Sequence, residues 1–145
     1  MKYRTRVFMG MVALGAMAFA LVGCASTGST DPAALEGTWA LESFGGAQDL
    51  KAADPTVATN MTMEAEKASG NGGVNSYSAT YETPGDNALT FSPPASTMMA
   101  GEAAAMEQEA AFFAALEKTE HFEINEGKLV LSDAGNNTIA VLKPQ

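Results

Sequence analysis

The sequence predicts an α+β domain in which a curled antiparallel sheet of about seven strands packs on one amphipathic helix. Three observations predict it. Short stretches of alternating apolar and polar residues recur between turns rich in Gly, Asn, Asp and Pro. Only the stretch from about Met99 to Phe113 repeats its apolar residues at spacings of three and four. The connections are short, which favours sequential hairpins over the long crossovers that parallel strands need.

Thr38 to Phe44 alternates, places Trp39 and Leu41 inward, and ends at Gly45-Gly46. Ala47 to Pro55 reads as a polar loop. Thr56 to Glu64 reads as a half-buried strand, with Val57, Thr59, Met61 and Met63 on one face. Ser69-Gly70-Asn71-Gly72-Gly73 reads as a turn, because glycines supply the positive φ that tight reversals use. It is not a phosphate loop: no Lys-Ser/Thr follows it. Val74 to Glu82 is the next strand, with Tyr77, Ala79 and Tyr81 together. Pro84-Gly85-Asp86-Asn87 turns the chain into Ala88 to Ser92, where Leu89 and Phe91 align.

Pro93-Pro94 stops that strand, and Ser96 or Thr97 is expected to cap the helix. Met99, Ala103, Met106, Ala110 and Phe113 form its expected inward stripe, with Glu102, Glu107, Glu109 and Glu117 mostly off it. The helix is expected to reach Leu116 or Lys118, about 30 Å in all, with Gly101 inside its first turn at a cost of about 1 kcal/mol. Three short strands follow: His121 to Asn125, with Phe122 and Ile124 aligned; Lys128 to Ser132, with Leu129 and Leu131; and Thr138 to Leu142, with Ile139 and Val141. Asn125-Glu126-Gly127 and Asp133 to Asn137 supply their turns.

Ahead of this domain lies a segment built as an export address. Lys2, Arg4 and Arg6 make a positive start, and Val7 to Val22 carry no charge and no proline. That run is shorter than the roughly 20 apolar residues of a membrane-spanning helix, and no positive flank follows it. Leu21-Val22-Gly23-Cys24 resembles the bacterial lipobox. The resemblance implies cleavage before Cys24 and acylation of its sulfur and its new amino group. Two or three chains hold a protein on a membrane where one does not. Ala25, in place of an aspartate, favours the outer membrane in a Gram-negative host. The expected organisation is a signal over residues 1–23, a lipidated Cys24 with a flexible tether over 24–34, and a domain over 35–145.

Removing the first 23 of 145 residues leaves 122, one domain by length. A chain of that size buries roughly two thirds of its surface and can hold a core unaided. Cys24 is the only cysteine, so no disulfide helps. The chain has 8 basic and 17 acidic residues, a net charge of −9. Losing Lys2, Arg4 and Arg6 leaves 5 against 17, or −12. Such a charge repels nucleic acid and anionic headgroups, so no nucleic-acid partner is expected and the lipid, not the surface, holds the membrane.

Read together, Leu35-Glu36-Gly37-Thr38-Trp39-Ala40-Leu41, Gly72-Gly73-Val74-Asn75-Ser76-Tyr77 with Tyr81, Leu89-Thr90-Phe91, Ser96-Thr97-Met98-Met99-Ala100, the run from Glu107 to Leu116, and Gly127-Lys128-Leu129-Val130-Leu131 resemble the META domain. The resemblance covers about residues 35 to 143 and rests on the order of these motifs. It implies a curled antiparallel sheet crossed by a helix, and an association with stress tolerance and, in some members, antibiotic resistance. It brings no catalytic residues. Many members carry cysteines where this chain has Val74 and Ala100. Asn75 and Thr97 match and the cysteines do not, so a thiol or disulfide role of the family is absent here.

His121, the only histidine, sits between Glu120 and Glu123 on a short strand and reads as a surface residue. There is no Gly-x-Ser-x-Gly elbow and no His pair or Cys cluster for zinc. Asp133 to Asn137 fails as a calcium loop, since Thr138 and Pro144 occupy the positions of its glycine and glutamate. The expectation is therefore a non-enzymatic envelope lipoprotein with no cofactor and no catalytic or metal site. It would be anchored by Cys24, would face the periplasm, and would bind a partner in envelope maintenance or stress. The alternative is a carrier or sensor of an apolar ligand held between sheet and helix, lined by Met61, Met63, Tyr77, Met99, Met106 and Phe113.

Overall fold

All strand pairs are antiparallel in the computed structural model, which describes residues 28–46 and 48–145. A 3-10 turn, Pro32–Leu35, leads into β1 (Gly37–Gly46), β2 (Asp49–Ala52), β3 (Asn60–Glu64), β4 (Lys67–Asn71) and β5 (Ser76–Glu82). Two short strands follow, β6 (Thr90–Phe91) and β7 (Ala95–Ser96). Then come the helix α1 (Ala103–Lys118), β8 (His121–Asn125), β9 (Lys128–Ser132) and β10 (Thr138–Pro144). The strand order is β6-β5-β4-β3-β1-β10-β9-β8, with β2 also on β1 and β7 also on β5. The α+β class holds, but about ten strands replace the seven expected.

The sheet nearly closes into a barrel. Ala88, just before β6, bridges His121 on β8. Leu89 N–H donates to the Glu120 carbonyl at 3.0 Å, and Phe122 N–H donates to the Asn87 carbonyl at 2.9 Å. Ser29 exchanges two backbone hydrogen bonds of 2.7 Å with Ile124 farther along β8. The spacer expected to run to Ala34 is thus docked from Ser29 on. Leu35 is fully buried, and its carbonyl accepts the Trp39 indole N–H at 2.9 Å.

Three strands are additional: β7, where a strand stop and helix cap were expected, and β2 and β4, where the sequence suggested loop or turn. Asp49–Ala52 pairs with Ser43 to Gly46, although all four of its residues are exposed, which hides it from any apolar pattern. Lys67–Asn71 pairs with both β3 and β5, so Ser69 to Asn71 are strand, and the expected turn is confined to Gly72 to Asn75, where β4 reverses into β5 and the Gly72 N–H donates to the Asn75 carbonyl at 2.8 Å. A further reversal, between β3 and β4, is Ala65-Glu66, both at positive φ, a two-residue hairpin turn without glycine or asparagine.

Inward faces follow alternation where strands are regular. Trp39, Leu41, Met61, Met63, Tyr77, Ala79 and Tyr81 are all buried as expected. In β10 the expected pair was Ile139 and Val141, but a register shift between Thr138 and Ala140 changes the face. Ala140 and Leu142 point inward after it, and Val141 does not, because one extra residue inverts a period of two.

The helix starts later and faces differently than expected. It has 16 residues, about 24 Å, and neither Ser96 nor Thr97 caps it. Glu102 stands at its N-cap without a side-chain hydrogen bond. Its buried face is Gln108, Glu109, Phe112, Ala115 and Leu116, a turn of about 130° from the stripe of Met106, Ala110 and Phe113. Alanine on every side makes the apolar pattern indifferent to that rotation; two polar residues with partners inside decide it. Gly101 precedes the helix and lies against Val74, where a Cβ would meet a methyl at 2.7 Å.

Candidate functional site

The N-terminal half of α1 is held to the sheet by a buried polar cluster. Glu109 is 8% exposed. Its carboxylate accepts the Val74 N–H at 2.8 Å, the Asn75 N–H at 2.6 Å and the Asn75 side-chain amide at 2.7 Å. Burial pushes this carboxyl up, but the bonds from the Asn75 side chain and the Asn75 and Val74 amides outweigh it. The group is held below the usual carboxylate value. Asn75 in turn accepts the Thr97 hydroxyl at 2.8 Å and the Met99 N–H at 2.7 Å, and donates to the Met99 carbonyl at 3.2 Å.

One residue earlier on the helix, Gln108 donates to the Thr59 hydroxyl at 2.9 Å and accepts the Asp54 N–H at 2.8 Å. The Thr59 hydroxyl donates to the Gly72 carbonyl at 3.0 Å. The two side chains therefore pin the loop after β4, the loop before β3 and the segment before α1. Every buried partner is satisfied, as low-dielectric burial requires. Gly72 has to be glycine: a Cβ there would meet the Phe113 ring at 2.6 Å.

This clamp makes the wall of an open groove of about 380 Å³ between α1 and the segment Ser96 to Ala100, with Met98, Met99, Met106, Ala110 and Phe113 also lining it. Three of the residues expected to line an apolar site, Met99, Met106 and Phe113, meet here. The other three do not: Met61 and Met63 are fully buried and Tyr77 is 4% exposed, all within the core. Tyr77 packs edge-on against Phe112 and Phe113 at 5.7 and 5.2 Å, and its hydroxyl donates to the Asn60 carbonyl. Burial pushes its phenol well above the ordinary value.

Met98 was missed, since a residue in a segment outside helix and strand has no periodicity to mark it. Glu109 and Gln108 were missed because polar residues on a helix read as outward. Asn75 was marked only as a match to the family motif, since its partners are 22 to 34 residues away. His121 is half-buried, and its Nδ1 is the one buried side-chain polar atom without a partner among the described residues. Asp133 folds back on its own turn, accepting the Asn137 N–H, the Asn137 side-chain amide and the Gly135 N–H, which holds its carboxyl below the usual value. Among the described residues no group of three His, Cys, Asp or Glu is placed to hold a metal, and no helix is long and apolar enough to cross a membrane. Cys24 lies outside the described residues.

Two solved structures share this fold. An NMR structure of a protein from Burkholderia xenovorans superposes with a TM-score of 0.67 at 18% identity, covering 99% of each chain. A crystal structure of a duf4847 family protein from Bacteroides vulgatus gives a TM-score of 0.54 at 15% identity, covering 75% of this chain and 92% of the other. No curated protein matches. The META domain model matches residues 33–145, a span that contains the ten strands, the helix and both polar clamps, and the chain belongs to the META domain family.

Proposed function

We propose that this protein is a lipid-anchored, non-enzymatic component of the bacterial envelope, which presents its META domain to the periplasm from the outer membrane and acts by binding in envelope maintenance or stress tolerance. The observation that carries the reading is the placement of the sole cysteine, Cys24, behind Leu21-Val22-Gly23 and a charged, then apolar, leader. The mature charge of −12 fits a domain kept off anionic headgroups. Labelling cells with an alkyne analogue of palmitate tests it. The wild type should take up label and sediment with outer membranes, and Cys24→Ser should do neither. An unlabelled wild type in the soluble fraction would overturn the anchor.

A second reading, a carrier of a free apolar ligand, is favoured by the meeting of Met99, Met106 and Phe113 in one groove. It places the ligand on the flank of the helix and not between helix and sheet. Native mass spectrometry after incubation with lipid extract should then show an added mass that Met106→Gln removes; a clean apo mass would sink it.

A further inference from the structure

Methionine in a folded domain usually fills core space. Met61 and Met63 do so, at 0% and 1% exposure, whereas Met98, Met99 and Met106 stand open at 97%, 59% and 44%. All three line the same groove, beside Phe113. A groove of about 380 Å³ is within the size range of ligand sites, and flexible thioethers adapt to side chains of several shapes.

The charges around it have one sign. Glu102 and Glu107 are both exposed. Glu102 lies one helical turn before Met106, and Glu107 adjoins Ala103 and Ala110 about a quarter-turn farther round the helix; neither lines the groove itself. Glu109 adds nothing to the rim, because its carboxylate is committed to Val74 and Asn75. No lysine or arginine lines the groove. The basic residues of the described chain lie on β2, β4, the last turn of α1, β9 and β10. An apolar floor with exposed carboxylates on the neighbouring helix surface is complementary to apolar anchors flanked by positive charge, and the net negative domain would draw such a segment in from a distance.

We infer that the groove docks a basic amphipathic segment of a partner protein. The inference rests on the binding role proposed above and names the chemistry of the partner. The clamp suits it: Asn75 and Glu109 hold the Thr97 to Met99 wall and the helix in fixed relation, so the backbone is preorganised while the thioethers adapt.

The probe is a fluorophore-labelled peptide with leucines along one helical face and lysines along the other. It is titrated against the full chain in zwitterionic nanodiscs, with empty nanodiscs subtracted and a glutamate-for-lysine peptide as control. Binding should be saturable, weakened by salt, and absent for the acidic peptide. Met98→Gln with Met106→Gln should weaken it about tenfold. Glu102→Lys with Glu107→Lys should weaken it about tenfold and flatten its salt dependence. Glu64→Lys, remote on β3, should leave it unchanged. These positions are exposed, so the variants keep the fold, checked by circular dichroism. Equal binding by the groove variants, binding of the acidic peptide, or no binding would overturn the proposal. So would self-association in sedimentation that Met98→Gln abolishes, which would assign the groove to a second copy. Crosslinking to an envelope protein that persists in the groove variants would sink the groove and leave the wider binding role standing; loss of the palmitate label would sink the anchor alone.

Discussion

Glu109 settles which way the helix faces. A carboxylate taken from water is costly unless charge-assisted hydrogen bonds replace its hydration, and here three do. Glu109→Gln keeps the shape but cannot accept all three, and should lower unfolding free energy by about 1.5–3 kcal/mol in urea titrations. Its folded pKa lies below the ordinary 4.5. Its contribution is therefore present above that value and lost as pH falls through the folded pKa. The wild type should lose stability on acidification through this range, and Glu109→Gln should show a flatter acid limb; parallel limbs would refute the assignment. Sequence patterning showed the apolar residues of this helix and chose the wrong face. Its signal is who is greasy, whereas the choice was made by Gln108 and Glu109 finding partners on loops folded in from far along the chain.

Among the elements, the β3–β4 hairpin carries the clearest local conflict. Ala65 and Glu66 adopt φ of 47° and 62°, where side chains with a Cβ are disfavoured by roughly 1–2 kcal/mol. Replacing them with Asn and Gly, the residues such a turn prefers, should stabilise the domain by about 1 kcal/mol. A higher midpoint in chemical denaturation would confirm it, and an unchanged one would show that the strain is already relaxed. This conflict explains why the sequence reading missed the β3–β4 reversal and marked only the one at Ser69 to Gly73, whose last two glycines do lie in the turn from β4 into β5. Gly72 also serves close approach: it faces the Phe113 ring, so Gly72→Ala should cost about 1–3 kcal/mol through overpacking. Regular strands such as Ser76–Glu82 were legible because every second residue is buried. β2 was illegible because none of its residues is, and the far end of β10 because a bulge resets the count.

Over the whole molecule, the closure of the sheet is the feature that no local pattern announces. Pairing of β1 with β10 joins the two ends of the domain, and its hydrogen bonds reward contacts made across most of the chain. The seam between Asn87 to Leu89 and β8 is shorter, one bridge with two flanking hydrogen bonds. Native-state hydrogen exchange should show the Leu89 and Phe122 amides opening at lower free energy than the Leu41 and Leu142 amides in the central strands. Equal protection at both places would mean that the barrel opens only as a unit.

The docking of Ser29 on Ile124 sets a leash. Five Cα steps separate Cys24 from Ser29, and at about 3.3–3.6 Å each they reach no farther than about 18 Å. With lipid on Cys24, the domain could not roam the periplasm. The rim of β8 would ride just above the headgroups, with Glu120, Glu123 and Glu126 beside it. Like charge on an anionic leaflet would push the domain outward against that leash, and salt would let it settle. Ride height above the bilayer, and with it the reach toward any partner, would then be a matter of ionic strength.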